Sequence, residues 1–289
     1  KLEALDIPLE AVKGRGYRLA EPLELLDGPD IVAALPRESR RHLTRLFVEE
    51  TLPSTNQFLR ERFKKGAGHA EACLAESQSA GRGRRGRPWA SSWGRSLLLS
   101  LGWRFEGGVS SLEGLSLAVG VGMAQVLEGY GMSVALKWPN DLLLIGENDT
   151  QKLAGILLEL SGDAEGPCEV VVGIGLNITL SAALRERLDQ PAAAVSDQIA
   201  DVSRNVLAAD LIGALLRMLC EFERVGFEAW QEEWNRRNAH AGRDVDVLQG
   251  LDSYVATVDG VDARGSLLVR RGNELQRLTG GEISLRGRS

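Results

Sequence analysis

The stretch that most constrains this chain is Gly81-Arg82-Gly83-Arg84-Arg85-Gly86-Arg87-Pro88-Trp89. Glycine reaches backbone conformations with φ > 0 and lets bare N–H groups come close to a ligand. Arginine binds phosphate or carboxylate oxygens through two parallel hydrogen bonds. We therefore expect an ordered loop that binds an anion, and the plainer alternative is a solvated basic turn.

Two other interpretations of this loop fit less well. The spacing of Gly81 and Gly86 matches a Walker A loop, but Arg87 and Pro88 follow where Lys and Ser or Thr are needed. A disordered Arg/Gly segment that binds nucleic acid is normally longer and repeated. Here the loop is short, and the apolar run Leu97–Leu101 follows it closely.

Composition limits the class of protein. The 289 residues include 34 Lys+Arg and 40 Asp+Glu, a net charge of −6, so the whole chain lacks the basic footprint of a nucleic-acid-binding protein.

Cys73, Cys168 and Cys220 form no C-x-x-C pair, which argues against disulfides and structural zinc and favours a reducing cytoplasm. With no run of 18 apolar residues and no signal peptide, we expect no membrane segment. The chain begins with Lys1, so we also expect that an N-terminal segment is missing.

Apolar runs and helical patterns alternate on both sides of the loop. Strands are predicted at 97–101, 134–137, 153–160 and 169–172. Helices are predicted at 56–63 behind Ser54, at 112–127 behind a Ser110/Glu113 capping box, and at 204–225. This order predicts an α+β fold in which helices cover a mixed sheet.

Both ends of the chain differ from this pattern. Residues 1–27 contain two short strands around Gly14 and Gly16 and form a first unit. Residues 28–240 form the main domain. Residues 241–289 contain short strands at 244–248, 253–258, 265–270 and 274–278, which predicts a small closed β-barrel.

Three further segments carry residues suited to anion chemistry. Lys137-Trp138-Pro139-Asn140-Asp141 could orient a nucleotide or magnesium, or be an ordinary turn, and Lys152 could bridge two oxyanions or only end a strand. Gly173 and Gly175 precede Asn177 and would let the backbone approach a ligand; Ile178 rules out a dinucleotide fingerprint. The three histidines are scattered, which disfavours a zinc enzyme or a triad hydrolase.

Taken in order, these segments resemble the biotin protein ligases, which attach biotin to proteins and in many bacteria also repress the biotin operon. The resemblance rests on the GRGRRG loop followed by Trp89, on KWPND at 137–141, KLAGI at 152–156 and GIGLN at 173–177, and on GGEISLR at 280–286. It implies a catalytic domain similar to class II synthetases, an SH3-like C-terminal barrel, and an N-terminal remnant of a winged-helix domain that ends in its wing hairpin.

The family's reaction has two steps. Biotin's carboxylate attacks the α-phosphate of ATP to give biotinyl-5′-AMP and pyrophosphate, and a lysine of the biotin carboxyl carrier protein then takes the acyl group. The resemblance implies Mg²⁺ as a cofactor and a homodimer linked to ligand binding. DNA is an expected partner only of a chain that includes the helix-turn-helix, which these residues lack.

The resemblance also implies residue roles. The catalytic residues would be Arg82, Arg84, Asp141 and Lys152. The residues that bind biotin would be Ser54, Thr55, Asn56, Gln78, Gly81, Arg82, Gly83, Arg84, Lys152, Gly155, Gly173 and Gly175. The residues that bind the nucleotide would be Arg84, Arg85, Arg87, Trp89, Asn140, Asp141, Lys152 and Asn177. Arg286 would contact the rest of the protein from the C-terminal domain. Metal ligands and a base for the incoming lysine are not identified.

Two rival functions and one departure from the family remain. A lipoate protein ligase shares the adenylate chemistry, but the polar side chains of Ser54, Thr55 and Gln78 suit a ureido ring better. The second rival is a DNA-binding regulator that senses a small ligand without catalysis, and it would release no pyrophosphate from ATP and biotin. Ala192-Ala193-Ala194 offers no aromatic side chain to cover the adenine.

Overall fold

The computed structural model describes residues 7, 9–20, 22–146, 149–249, 252–279 and 283–287, with the side chains of 249, 252 and 283–287 left out. The helices are α1 Gly28–Ala34, α2 Arg37–Arg40, α3 Thr55–Phe63, α4 Leu115–Gly129, α5 Ala182–Arg187, α6 Arg204–Val225 and α7 Gln231–Arg236. The strands are β1 Leu9–Val12, β2 Gly16–Leu19, β3 Arg45–Leu52, β4 Glu71–Gln78, β5 Ser96–Phe105, β6 Val134–Lys137, β7 Asp141–Ile145, β8 Thr150–Gly162, β9 Cys168–Asn177, β10 Asp244–Gln249, β11 Asp252–Val261, β12 Leu267–Arg271, β13 Glu274–Leu278 and β14 Ile283–Gly287.

A seven-stranded sheet forms the main body of the protein, in the order β3-β4-β5-β9-β8-β7-β6. β3 runs parallel to β4, and the other neighbouring strands are antiparallel. The prediction of a mixed sheet covered by helices is therefore confirmed. The strands β5, β8 and β9 are longer than the apolar runs predicted, because their polar and glycine ends also pair.

The two faces of this sheet differ because side chains alternate along each strand. Leu97, Leu99 and Leu101 point into the main core, which α4 and α6 cover. Ser96 and Ser100, which are also buried, lie on the opposite face, which α3 partly covers. The candidate site lies on this second face.

The predicted capping box at the start of α4 is wrong. Residues Val109–Leu112 form a 3-10 turn, and α4 begins only at Leu115, behind Gly114 with φ +77. A side chain at Gly114 would lie 2.3 Å from the ring of Phe227, so tertiary packing fixes this corner. Residues Val109–Gly129 are long and apolar enough to cross a membrane, but more than half of the stretch tested is buried, as in the core helix of a soluble protein.

The C-terminal residues form a separate five-stranded antiparallel sheet in the order β13-β12-β11-β10-β14. The four predicted strands are present, and β14 is an additional strand that pairs with β10. Arg286 lies on β14 opposite Asp246, but its side chain is outside the described residues, as are Gly280 to Glu282.

The N-terminal strands β1 and β2 pair as the predicted hairpin. The segment after the hairpin then runs along the main sheet, where Leu26 is buried and its N–H donates to Glu76 Oε1 at 2.6 Å. Glu76 is itself buried and forms a 2.8 Å ion pair with Arg204 at the start of α6. This cluster fixes the end of β4 to both the incoming segment and the long helix.

Candidate functional site

Neighbouring strands bring the predicted site residues into two rows across one face of the sheet. In one row, Gly173 on β9 lies between Ser100 on β5 and Leu157 on β8. In the next row, Gly175 lies between Leu98 and Gly155, and Gly155 pairs with Asp141 on β7. Segments far apart in the sequence therefore meet in one cleft.

One end of the cleft is polar. Ser54 caps α3 by accepting the N–H of Gln57, as predicted. The next residue, Thr55, donates its backbone N–H to Gln78 Oε1 at 2.7 Å, and its Oγ1 lies 3.0 Å from the same oxygen. The amide of Gln78 is thus oriented by the first turn of α3.

The Asn56 side chain lies over Gly173. A Cβ at Gly173 would be 2.2 Å from Asn56 Oδ1, so only glycine leaves room for this amide. Asn56 Nδ2 donates to Glu159 Oε2 at 2.8 Å, while Asn56 Oδ1 lies 2.6 Å from Ser100 Oγ. In this structure the glycine makes room for a protein side chain.

The arginine loop is held by its own backbone. Gly83 N donates to Arg87 O at 2.7 Å, and Trp89 N donates to Gly81 O at 3.0 Å. Of its three glycines only Gly86 has a positive φ, +70, while Arg85 itself has φ +60. Among these glycines, the positive-φ conformation is therefore used only at Gly86. At Gly81 the reason is space, because a Cβ there would lie 3.1 Å from Gln78 Nε2 and 3.3 Å from Trp89 O.

Trp89 lies inside the cleft, over the second row of residues. A Cβ at Gly175 would lie 2.5 Å from its ring, and a Cβ at Gly155 would lie 3.1 Å from it. The Lys152 ammonium lies 5.6 Å from the ring centroid, within the range of a cation–π interaction. The indole therefore packs between two glycines and the central lysine.

The charged end of the cleft lies beside this indole. Lys152 Nζ and Asp141 Oδ1 form a 2.8 Å ion pair, and both side chains are largely buried. Asn140 Nδ2 donates to Ile156 O at 2.8 Å, and Asn140 Oδ1 lies 3.4 Å from Arg84 Nη1. Burial lowers the pKa of Arg84, with a further contribution from Arg85, although a guanidinium still stays charged at neutral pH.

The backbone around Lys152 is fixed by a neighbouring loop. Lys152 N donates to Pro191 O at 3.0 Å, and Ala193 N donates to Lys152 O at 2.9 Å. Asn177 Nδ2 donates to Ala193 O at 3.0 Å. The Asn177 amide thus supports this loop.

Most of the predicted residues meet in the cleft, but some do not. The Arg82, Arg85 and Arg87 side chains are exposed, whereas Arg84 is half-buried and turned towards Asn140.

Sequence reasoning missed Ser100 and Glu159, which hold Asn56, and it missed the bond from Trp138 Nε1 to Gly265 O at 3.1 Å. The available signal for Ser100 was the spacing of Ser96 and Ser100, two serines four residues apart in an otherwise leucine-rich strand. No sequence pattern could have indicated that Trp138 reaches the C-terminal sheet.

Comparison with known families gives two matches. A sequence model of the biotin/lipoate A/B protein ligase family matches residues 48–177. A second model, the biotin protein ligase C terminal domain, matches residues 240–286. Together they cover the residues of the cleft from β3 to β9 and the C-terminal sheet.

Comparison with individual proteins agrees. The chain is 37% identical over 276 residues to the bifunctional ligase/repressor BirA of Salmonella typhimurium, which covers 95% of this chain and 83% of that protein. It is 31% identical to the acetyl-CoA-carboxylase biotin ligase of Mycobacterium tuberculosis, over 80% of this chain and 85% of that one. The fold matches a biotin protein ligase from Aquifex aeolicus in complex with biotin and ATP, with TM-score 0.71, 24% identity, and coverage of 85% of this chain and 100% of that one.

Proposed function

This chain belongs to the biotin protein ligase family, and we propose that it activates biotin with ATP and transfers the biotinyl group to a lysine of a biotin carboxyl carrier protein. The observation that carries the proposal is the meeting of Arg84, Asn140, Asp141, Lys152 and Trp89 in one cleft, although they come from three distant segments. The chemistry follows from what these groups can do.

In the first step, a carboxylate oxygen of biotin attacks the α-phosphorus, and the bond from that phosphorus to the pyrophosphate oxygen breaks. Two anions must approach each other for this to occur. Lys152, which is oriented by Asp141 at 2.8 Å, can neutralise both, and it needs little reorganisation because its backbone is fixed on both sides. Arg84 supplies a second cation from the loop.

In the second step, the amine of the carrier lysine attacks the acyl carbon of the adenylate, and AMP leaves with the bonding electron pair. The proton released from the nitrogen passes to water. We propose that the arginine loop and the Trp89 ring cover the adenylate and limit its hydrolysis until the amine arrives. The exposed arginines Arg82, Arg85 and Arg87 would then bind phosphate oxygens of the nucleotide.

We propose that magnesium enters with the nucleotide. Mg²⁺ in nucleotide sites keeps several waters and takes only one or two protein carboxylates. Asp141 suits that role, since it is a largely buried carboxylate at the charged end of the cleft. Among the described residues there is no group of three His, Cys, Asp or Glu side chains that could hold a metal alone.

We propose that the biotin ring binds at the polar end of the cleft. Ser54, Thr55, Asn56 and Gln78 lie there within one turn of α3 and the end of β4, and Gln78 is oriented through its carbonyl oxygen, which directs its N–H groups elsewhere. Such an array suits a cyclic urea, which offers N–H donors and a carbonyl acceptor. Gly81, Gly83, Gly155, Gly173 and Gly175 would shape the walls, and Asn177 would support the nucleotide side.

The remaining proposals concern the whole molecule. We propose that the C-terminal sheet is an SH3-like barrel and that the β1–β2 hairpin is the wing of a winged-helix domain, with unit boundaries at 27/28 and 240/241. Arg286 would contact the main domain. Repression of a biotin operon, binding to DNA and a ligand-linked homodimer are further proposals, and the first of them is suggested by a relative that is named a bifunctional ligase/repressor. The free cysteines Cys73, Cys168 and Cys220 favour a cytoplasmic location.

Release of pyrophosphate tests the proposal directly. The protein is mixed with ATP and either biotin or lipoate, and pyrophosphate is measured by a coupled assay. We expect release with biotin alone, followed by biotinylation when a carrier protein is added. A folded sample that releases pyrophosphate with lipoate only, or with neither acid, would contradict the proposal.

A further inference from the structure

The backbone of Lys152 is paired with a short segment of the loop that follows α5. The pairing of β8 with β9 begins at Ala154, two residues past Lys152. Residues 191–193, here called the bridging segment, lie beside Lys152 instead. Lys152 N donates to Pro191 O at 3.0 Å, and Ala193 N donates to Lys152 O at 2.9 Å. The position of the central lysine therefore depends on where this segment lies.

The bridging segment is held in place by side chains from outside it. It consists of a proline, which has no backbone N–H, and two alanines, so it has no polar side chain of its own. Asn177 Nδ2 donates to Ala193 O at 3.0 Å. Arg185 Nη1 donates to Ala192 O at 2.6 Å. Because Ala192 forms a parallel bridge with Lys152, Arg185 is bonded to the residue directly opposite the central lysine.

Asp197 fixes the guanidinium that makes this contact. Arg185 Nη2 lies 2.6 Å from Asp197 Oδ1 and 2.9 Å from Asp197 Oδ2. Asp197 Oδ2 also accepts the N–H of Ala194 at 2.9 Å, so the same carboxylate holds the residue after the bridging segment. The two side chains are 32% and 33% exposed, and an ion pair with this exposure adds little to the stability of a fold. Its effect is geometric, because one planar guanidinium joins a carboxylate to a carbonyl.

We infer that Arg185 is a positioning residue for the first step of the reaction, and that with Asp197 it holds the bridging segment against Lys152. This inference rests on the proposed function and deepens it, because it assigns a residue of α5 to the placement of the cation between biotin's carboxylate and the α-phosphate. A displacement of about 1 Å at such a group can lower the rate about 100-fold. The polar end of the cleft is built from α3 and β4, so the affinity for biotin should not depend on Arg185.

Pyrophosphate release and calorimetry together test this inference. In Arg185→Ala we expect the kcat for pyrophosphate release from ATP and biotin to fall about 10- to 100-fold. The Kd for biotin should stay at the wild-type value. Arg185→Lys keeps the charge but cannot form both bonds in the same geometry, so its kcat should lie between those of the wild type and Arg185→Ala.

Hydrogen exchange reports on the bridging segment independently of activity. The N–H groups of Lys152 and Ala193 are the two that bond across the bridge. In Arg185→Ala both should exchange about tenfold faster, since the segment that protects them is released more often. Amides in the middle of β9, which lies between β5 and β8, should exchange at the wild-type rate.

Arg187→Ala is the matched control, because Arg187 lies on the same helix, carries the same charge and is exposed. It should leave the kcat and both exchange rates unchanged. If Arg185→Ala does not fold, Asp197→Asn replaces it. That variant removes the charge of the partner but keeps an oxygen for the N–H of Ala194, and it should also lower the kcat.

Four results would count against the inference. A wild-type kcat in folded Arg185→Ala overturns it while leaving biotin activation intact. An equal fall in Arg187→Ala also overturns it, since the effect would then come from positive charge on α5 in general. A lower kcat with unchanged exchange at Lys152 and Ala193 rules out the positioning role. A wild-type protein that releases no pyrophosphate with biotin overturns the proposed function and the inference together.

Discussion

Substitution of the two glycines beneath Trp89 should produce a graded loss of activity. The Cβ of Gly175→Ala would lie 2.5 Å from the Trp89 ring, about 0.9 Å short of ordinary contact. The Cβ of Gly155→Ala would lie 3.1 Å from the same ring, about 0.3 Å short. Neither glycine has a positive φ, so backbone strain does not contribute at either position.

The expected size of each effect follows from these distances. In Gly175→Ala the indole must move by about 1 Å, which is enough to lower the rate of adenylate formation about 100-fold. Overpacking should also lower the free energy of unfolding by about 1–3 kcal/mol. In Gly155→Ala the smaller shift should lower the rate less than about tenfold. Pyrophosphate release and urea unfolding measure the two quantities.

The control is Gly129→Ala, because a Cβ at that position meets no atom within 4 Å and the residue ends α4, which covers the opposite face of the sheet. It should leave the rate unchanged. Wild-type turnover by folded Gly175→Ala, or a larger loss in Gly155→Ala than in Gly175→Ala, would refute the account of Trp89 as a ring packed tightly on these two strands.

Three other predictions test separate parts of the structure. Lys152→Ala should lower pyrophosphate release about 100- to 1000-fold while circular dichroism stays native, and wild-type release from the folded variant would exclude the proposed role. Trp138→Phe removes the 3.1 Å hydrogen bond that Trp138 Nε1 donates to Gly265 O. It should raise the KM for ATP several-fold and leave the Kd for biotin unchanged. An unchanged KM for ATP would show that this hydrogen bond does not serve the site. Burial, helped by Lys137 and Arg243, lowers the pKa of His240 to about 4, below its value of about 6.5 in the unfolded chain. Because the folded protein keeps His240 neutral, the free energy of unfolding keeps its full value above about pH 6.5 and decreases by about 2–3 kcal/mol as the pH falls towards 4. In His240→Gln, urea unfolding should lack this part of the decrease. Equal slopes of the free energy of unfolding against pH in the wild type and the variant would contradict the prediction.

The sequence predicted the elements whose signals are local. The Ser54 cap, the long helix ended by Gly226 and the β1–β2 hairpin depend on neighbouring residues, and all three are present. The Ser110/Glu113 capping box failed because Phe227 packs against Gly114 and sets the start of α4 from a distance.

The candidate site was predictable in its residue types but less so in its contacts. Motif residues such as Lys152 and Asp141 come from different segments and form an ion pair in the structure. The roles of Gly173 and Gly175 differ from the expectation of open backbone, because Asn56 and Trp89 fill the space above them. Strand register decides which side chain lies over which glycine, and a single sequence does not reveal register.

The buried pair of Glu76 and Arg204 ties one end of the cleft to the long helix α6. Gln78 follows Glu76 by two residues, so the polar end of the cleft is anchored to α6. The arginine loop begins beyond that anchor and is closed by its own backbone bonds, while Trp89 and Arg84 hold it to the other end of the cleft. For the proposed binding of biotin, this fixed polar end means that little side-chain entropy is lost when the ring binds.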